Sequence, residues 1–251
     1  MDLITAVANV EYFYRRIYWQ APTAITHSTP DYTLSYSGVT WLNSVNQLWL
    51  HRPEALDEPL LAYARYFFAH YGAEYDVVFP DTAADLPTWL ADRRFEGRAI
   101  NPIYALHGPP HPRYTHPTAR IIRAGVKHQA ALLQVLYGTF FMGPEVGRCL
   151  VRAEQFDDPA VRHYLATVNG DVAGCVTLLL NGSVAGVWNV GTLRPYRQQG
   201  LASTILTRAL AEAAADGYAE SILVASPMGR SLYEEMGYRE VGRTCHYGPA
   251  D

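Results

Sequence analysis

The stretch Thr192–Ser203 reads TLRPYRQQGLAS. It sets arginine, two glutamines and a glycine between an apolar extended run and an amphipathic helix. A helix start leaves backbone N–H groups without intrahelical partners, all pointing one way. The helix dipole makes that place favourable for an anion. Gly200 offers a phosphate an approach with no Cβ in the way, and Arg197 adds a full positive charge. The chemistry this predicts is the binding of a phosphorylated ligand. On these residues alone an ordinary strand-to-helix turn explains the pattern equally well.

The elements around the turn are legible. From Gly200 the chain runs GLASTILTRALAEAAADG, with Leu201, Ile205, Ala209 and Ala213 on one stripe, joined by Leu206 and Leu210. Gly217 is the expected left-handed stop. Upstream, three strands are predicted in VRHYLATVNGDVAGCVTLLLNGSVAGVWNVGTL, joined at Asn169–Gly170 and Asn181–Gly182, both hairpin signals. The middle strand, VAGCVTLLL, is apolar almost throughout and should be covered on both faces. Before them come a strand in TARIIRAG, a helix in KHQAALLQVLYGTFF and a looser helix in GPEVGRCLVRAEQF.

The order NVGTL, RPYRQQGLA, long helix, short strand SILVAS and a helix ending LYEEMGY resembles the GNAT family, the GCN5-related N-acetyltransferases. The family signature, Arg/Gln-x-x-Gly-x-Gly/Ala, reads here Arg197-Gln198-Gln199-Gly200-Leu201-Ala202. The resemblance runs from about Thr118 to Tyr247 and is strongest from Val187 to Tyr238. It implies an α/β (α+β) fold of tandem GNAT-like mixed sheets flanked by helices. It further implies that the pyrophosphate of acetyl-CoA sits on the turn, Arg197, Gln198, Gln199, Gly200, Leu201, Ala202 and Ser203. The pantetheine arm would run beside Val190, Gly191 and Thr192, on a strand splayed at a bulge for which Gly191 is suited. Tyr233 matches the family's usual proton donor; a phenol of pKa about 10 can protonate a thiolate whose acid is near 8.5. A backbone N–H near Thr192 would hold the oxyanion. For the general base, Glu145, His246 and a water wire remain open. The implied activity is acetyl-CoA-dependent N-acetyl transfer to an amine, of a small molecule, directly through a tetrahedral intermediate, with no metal. The alternative is a non-catalytic module of the same fold that binds an acyl-CoA or another small ligand.

The segment GPPHPRYTHP, Gly108–Pro117, forbids helix and is the expected linker. It divides a lobe of residues 1–110 from an acetyltransferase domain of residues 111–251. His107, His111 and His116 lie in or beside it, and nothing in their spacing fixes a metal geometry. The first lobe repeats the second faintly. YDVVFP, DLPTWLADRRF and RAINPIYAL give strand, helix and strand in the order of ESILVAS, SLYEEMGY and the final strand. Setting Phe95 on Tyr238 puts Leu90 on Tyr233. No phosphate turn is repeated, so a degenerate GNAT-like half that does not bind the coenzyme is expected. A helix ending at Gly72 precedes the repeat; the first forty residues give no clear pattern. Trp41, Asn43, Asn46 and Trp49 are candidates for an acceptor pocket or for plain packing.

Composition narrows the classes. The chain has 251 residues, 49% hydrophobic and 18% charged, with net charge −4, which is globular and carries no footprint for nucleic acid. No apolar run spans a bilayer, and the start lacks a signal-peptide pattern. Cys149, Cys175 and Cys245 are scattered and odd in number, as expected of free thiols in a reducing, cytoplasmic setting. The expected partner is a small-molecule amine, with no nucleic acid and no membrane.

Overall fold

The structure, a computed structural model, describes residues 1–112, 114–140 and 143–250. The chain forms two compact units: Asp2–Ile103 with Gly242–Asp251, and Met1 with Tyr104–Val241.

The N-terminal unit opens with α1, Leu3–Ile17. The Asp2 carboxylate accepts the Thr5 N–H at 2.8 Å and caps it, while Ala6, Val10, Phe13 and Ile17 turn inward. This helix lies where the sequence gave no clear pattern. Strands β1 (Ile25–Ser28), β2 (Tyr32–Tyr36) and β3 (Gln47–Leu50) are antiparallel neighbours. Helix α2, Glu58–His70, begins at Asp57, whose carboxylate accepts the Leu60 N–H at 2.8 Å. Strand β4, Asp76–Pro80, runs parallel to β3; α3, Leu86–Ala91, and β5, Phe95–His107, follow. Trp49 and Asn46 are fully buried here. Trp49 packs with Tyr14 and Trp19, and the Asn46 amide bridges Ser37, Val39 and Glu74. For Trp49 and Asn46 packing is the reading realised; Asn43 donates to Asp76 at 2.7 Å, and Trp41 is 50% exposed.

The C-terminal unit carries β6 (Arg120–Arg123), α4 (Gln129–Phe140), α5 (Pro144–Leu150), β7 (Val161–Val168), β8 (Asp171–Asn181) and β9 (Val184–Thr192). Then come α6 (Leu201–Ala215), β10 (Glu220–Val224), α7 (Arg230–Glu235) and β11 (Arg239–Pro249). Within it the strands lie in the order β10, β9, β8, β7, β6, with β10 parallel to β9 and the rest antiparallel. Asn169 and Gly170 both take positive φ, 53° and 91°, the turn that closes the β7–β8 hairpin. Strand β8 is buried from Ala173 to Leu180, as its apolar run requires. On one face α6 buries Leu201, Ile205, Leu206 and Leu210 against Tyr164, Val176, Leu178 and Val187. Each such side chain contributes roughly 1.5–3 kcal/mol of burial.

Strand β11 leaves the C-terminal unit after Val241, and its Thr244–Tyr247 stretch pairs antiparallel with β4. The two units repeat one plan. Asp76, Leu86 and Phe95 open β4, α3 and β5 and stand 144 residues before Glu220, Arg230 and Arg239, which open β10, α7 and β11. This register differs by one residue from the one read in the sequence. The residue equivalent to Tyr233 is Trp89, not Leu90, which is fully buried in its own core.

Candidate functional site

The turn grows out of an arm. Strands β9 and β10 pair through Val184–Gly186 and Glu220–Ile222. Strand β9 continues for six residues beyond that ladder, to Thr192. On its other side, Cys175 opposes Gly191 and Thr177 opposes Trp188. Strand β9 therefore holds one residue more than β8 across this interval, which is a β-bulge. The bulge falls at Asn189, with φ 54°, rather than at Gly191 as anticipated. Asparagine tolerates this left-handed geometry better than most residues. Gly191 is needed for a different reason: a Cβ there would stand 3.2 Å from Val135 and 3.4 Å from the Cys175 sulfur.

After Thr192 a short 3-10 turn, Arg194–Tyr196, reverses the chain. The Arg197 Nε–H donates back to the Thr192 carbonyl at 3.0 Å, so this guanidinium braces the turn. Gln198 and Gly200 take positive φ, 60° and 74°. A Cβ on Gly200 would meet the Tyr114 and Thr115 backbone at 3.2 Å. Glycine is thus required for its conformation and for a close approach of chain, where the sequence had pointed to a phosphate. Helix α6 has no side-chain cap, and its first ladder bond runs from the Thr204 N–H to the Gly200 carbonyl. The N–H groups of Leu201, Ala202 and Ser203 precede that ladder. The Leu201 side chain belongs to the core, so only its backbone faces this chemistry.

Beside the turn lies a cavity of about 460 Å³. Gln198, Gln199, Gly200 and Ser203 form one wall, and Leu232, Glu235 and Met236 of the α7 region form another. Tyr114 and Thr115, within the Pro/His segment expected as a linker, complete it. Val190, Gly191, Thr192 and Tyr233 do not line this cavity; they belong to the arm and to the core beside it. An uncapped helix start, a splayed arm and a cavity of this size fit a long phosphorylated ligand lying along both.

Tyr233 is 7% exposed and packs edge-on against Tyr238, ring centroids 5.9 Å apart. Burial pushes its phenol up to about 12, above the ordinary value used in the sequence reading. Under the arm, the Cys175 thiol is also pushed up to about 12 by burial and donates to the Asn189 carbonyl at 3.4 Å. Local burial thus raises a thiol and a phenol to the same range. His246, named as a candidate base, sits in the N-terminal unit. Its Nδ1 lies 3.5 Å from Asp76, and its Nε2 lies 2.9 Å from Asn101 and 3.2 Å from Thr244. Both ring nitrogens are engaged, so it is a buried structural node. Glu145 stands half-buried in the first turn of α5.

The Pro/His segment is tied down within its unit. His111 N–H donates to the Met236 carbonyl at 3.2 Å and His116 N–H to Thr204 Oγ1 at 2.7 Å. Among the described residues no group of three or more His, Cys, Asp or Glu side chains is placed to hold a metal ion, and no helix is long and apolar enough to cross a membrane.

The sequence model of the acetyltransferase (GNAT) family matches residues 131–238. A solved GCN5-related N-acetyltransferase from Kribbella flavida is similar over 100% of this chain and 97% of its own, with a TM-score of 0.76 at 15% identity. A GCN5-related N-acetyltransferase from Sphaerobacter thermophilus is similar over 93% and 84%, with a TM-score of 0.66 at 14% identity. A tandem GNAT protein from the clavulanic acid biosynthesis pathway is similar over 97% and 89%, with a TM-score of 0.62 at 13% identity. At these identities the likeness is one of fold. No functionally curated protein matches in sequence. Residues 131–238 are a domain of the acetyltransferase (GNAT) family, carried in a chain with a tandem GNAT fold.

Proposed function

We propose that the protein is an acetyl-CoA-dependent N-acetyltransferase acting on the amine of a small molecule. The observation that carries this reading is the uncapped start of α6 at the end of a bulged, splayed arm. Acetyl-CoA supplies the activated acyl group. The backbone N–H groups of Gln198–Ser203 hold its pyrophosphate, supported by the dipole of α6. The side of β9 that faces away from β8, at Val190, Gly191 and Thr192, supplies backbone groups to the pantetheine, the Thr192 carbonyl being held by Arg197, and an N–H there polarises the acyl carbonyl.

The transfer forms a C–N bond and breaks the C–S bond. The amine proton leaves to water, and the Tyr233 hydroxyl delivers a proton to the departing sulfur. Against a thiolate with its acid at 8.5, a phenol at about 12 would work uphill by about 5 kcal/mol, at 1.36 kcal/mol per pH unit. Desolvation raises a thiol as it raises a phenol, so excluding water from the leaving sulfur narrows this gap.

The N-terminal unit takes no coenzyme in this reading. Its β3 ends one residue past its three-residue parallel pairing with β4, so it has no arm. Its equivalent helix, α2, is capped by Asp57, a carboxylate where a phosphate would sit. The test is release of free thiol from acetyl-CoA with a panel of small amines. Amine-dependent release is expected; tight acetyl-CoA binding with no release to any amine would favour a non-catalytic binding module.

A further inference from the structure

We propose that Tyr114–His116 is a built wall of the coenzyme cavity and that the Tyr114 ring is the face on which the coenzyme's adenine packs. The inference rests on reading the turn as a coenzyme A site. It concerns residues outside the stretch that matches the family, which begins at residue 131.

The segment is fastened to the first turn of α6 at two points. Ser203 Oγ lies 2.6 Å from the Tyr114 carbonyl and 2.9 Å from the Gly200 carbonyl. Its single proton is therefore shared between two backbone acceptors and is not spent on a phosphate. One residue on, Thr204 Oγ1 accepts the His116 N–H at 2.7 Å and lies 2.7 Å from the Gly200 carbonyl. Between these ties the chain passes so close to Gly200 that no Cβ fits without a shift. Both ties use the backbone of the segment, so they survive a change of the Tyr114 side chain.

The chemistry of the cavity separates its two ends. The phosphate end is backbone N–H at the start of α6. The remaining walls are Tyr114, Thr115, Leu232, Met236 and the carboxylate-bearing Glu235, with the amides of Gln198 and Gln199 beside them. Apolar and aromatic walls, with amide donors and acceptors and one carboxylate acceptor, suit a flat heteroaromatic base whose edge carries an amino group. Tyr114 is 64% exposed, a large aromatic surface held at a ligand cavity by an anchored backbone. Base–aromatic stacking is a strong, non-directional contact that such a surface provides.

The test is calorimetry on the full chain with acetyl-CoA and, separately, with adenosine 3′,5′-bisphosphate, the nucleotide end alone. Tyr114→Ala is expected to raise both dissociation constants by about tenfold, and Tyr114→Phe to restore both. If Tyr114→Ala binds both as tightly as the native protein, the wall assignment is overturned and the coenzyme reading stands. Weakened acetyl-CoA binding with unchanged nucleotide binding also overturns it. If the native protein binds neither compound, both readings fall.

Discussion

Trp89 and Tyr233 hold the same place in a repeated unit: each is the fourth residue of the short helix that follows a parallel strand. The indole of Trp89 is covered by the Arg93 guanidinium, 3.7 Å from the ring centroid, whereas Tyr233 is buried in an apolar core. In the proposed reaction only the second position supplies the proton that the leaving sulfur takes. Tyr233→Phe keeps the ring's packing and should leave acetyl-CoA affinity unchanged, with turnover reduced about 10²–10⁴-fold. Trp89→Phe should leave turnover at the native level. Initial rates at saturating substrates, beside calorimetric affinities, check both; a native rate for Tyr233→Phe removes the phenol from the mechanism.

Gly200 bears on stability as well as on binding. Its φ of 74° costs an L-residue roughly 1–2 kcal/mol, and a Cβ would press on the Tyr114–Thr115 backbone. Gly200→Ala should lower unfolding stability by about that amount and weaken acetyl-CoA binding together. Urea denaturation and calorimetry on one preparation would show it. An alanine variant of native stability would mean that the close approach is not maintained in solution.

His163 gives the protein a pH dependence whose sign can be worked out. It is 1% exposed, its Nδ1 lies 2.9 Å from Thr177 Oγ1, and its Nε2 has no partner. Burial pushes it down to about 4 from an ordinary 6.5. Between those values the unfolded chain binds a proton that the folded chain refuses, so stability falls as pH falls through this window. From pH 7 to pH 5 the loss from this group is about 2 kcal/mol at 1.36 kcal/mol per unit. His163→Asn should flatten the pH profile of unfolding by that amount. Equal slopes for variant and native protein would count against a buried neutral imidazole.

The division of the chain is tested by expressing residues 112–251 alone. That fragment keeps β11 but removes β4, the partner of Thr244–Tyr247. Cys245 would then lack the core it packs in, so the fragment should aggregate or lose acyl transfer. A monomeric fragment with native activity would establish residues 112–251 as a self-sufficient enzyme and leave the N-terminal unit without a part in the reaction.

The C-terminal unit was legible because its signals are local and agree with one another. Asn-Gly turns, the apolar run of β8 and the stripe on α6 each specify an element within a few residues. Helix α1 escaped although Asp2, Ala6, Val10, Phe13 and Ile17 carry a cap and a helical spacing. The aromatic residues interleaved with that stripe, Tyr12, Tyr14 and Tyr18, blur its polar face. The bulge was expected at a glycine because glycine is the usual host of positive φ; here an asparagine takes it. The wall at Tyr114 was invisible for a different reason. A backbone carbonyl meeting a hydroxyl 89 residues away leaves no periodicity to read.

Strand β11 has a consequence for how the protein is made. Synthesis proceeds from the N-terminus, yet one edge of β4 is paired by Thr244–Tyr247, which are made long after it. Until they are made, that edge of the earlier unit stands open, with Val77, Val78 and Phe79 among the residues along it. An open, apolar strand edge is a template for pairing with another chain. Thr244–Tyr247 must leave the ribosome before the first unit can close, so nascent molecules expose this edge to one another until then. Loss of the Thr244–Tyr247 stretch would therefore be felt in the N-terminal unit, as poor yield rather than as slow chemistry.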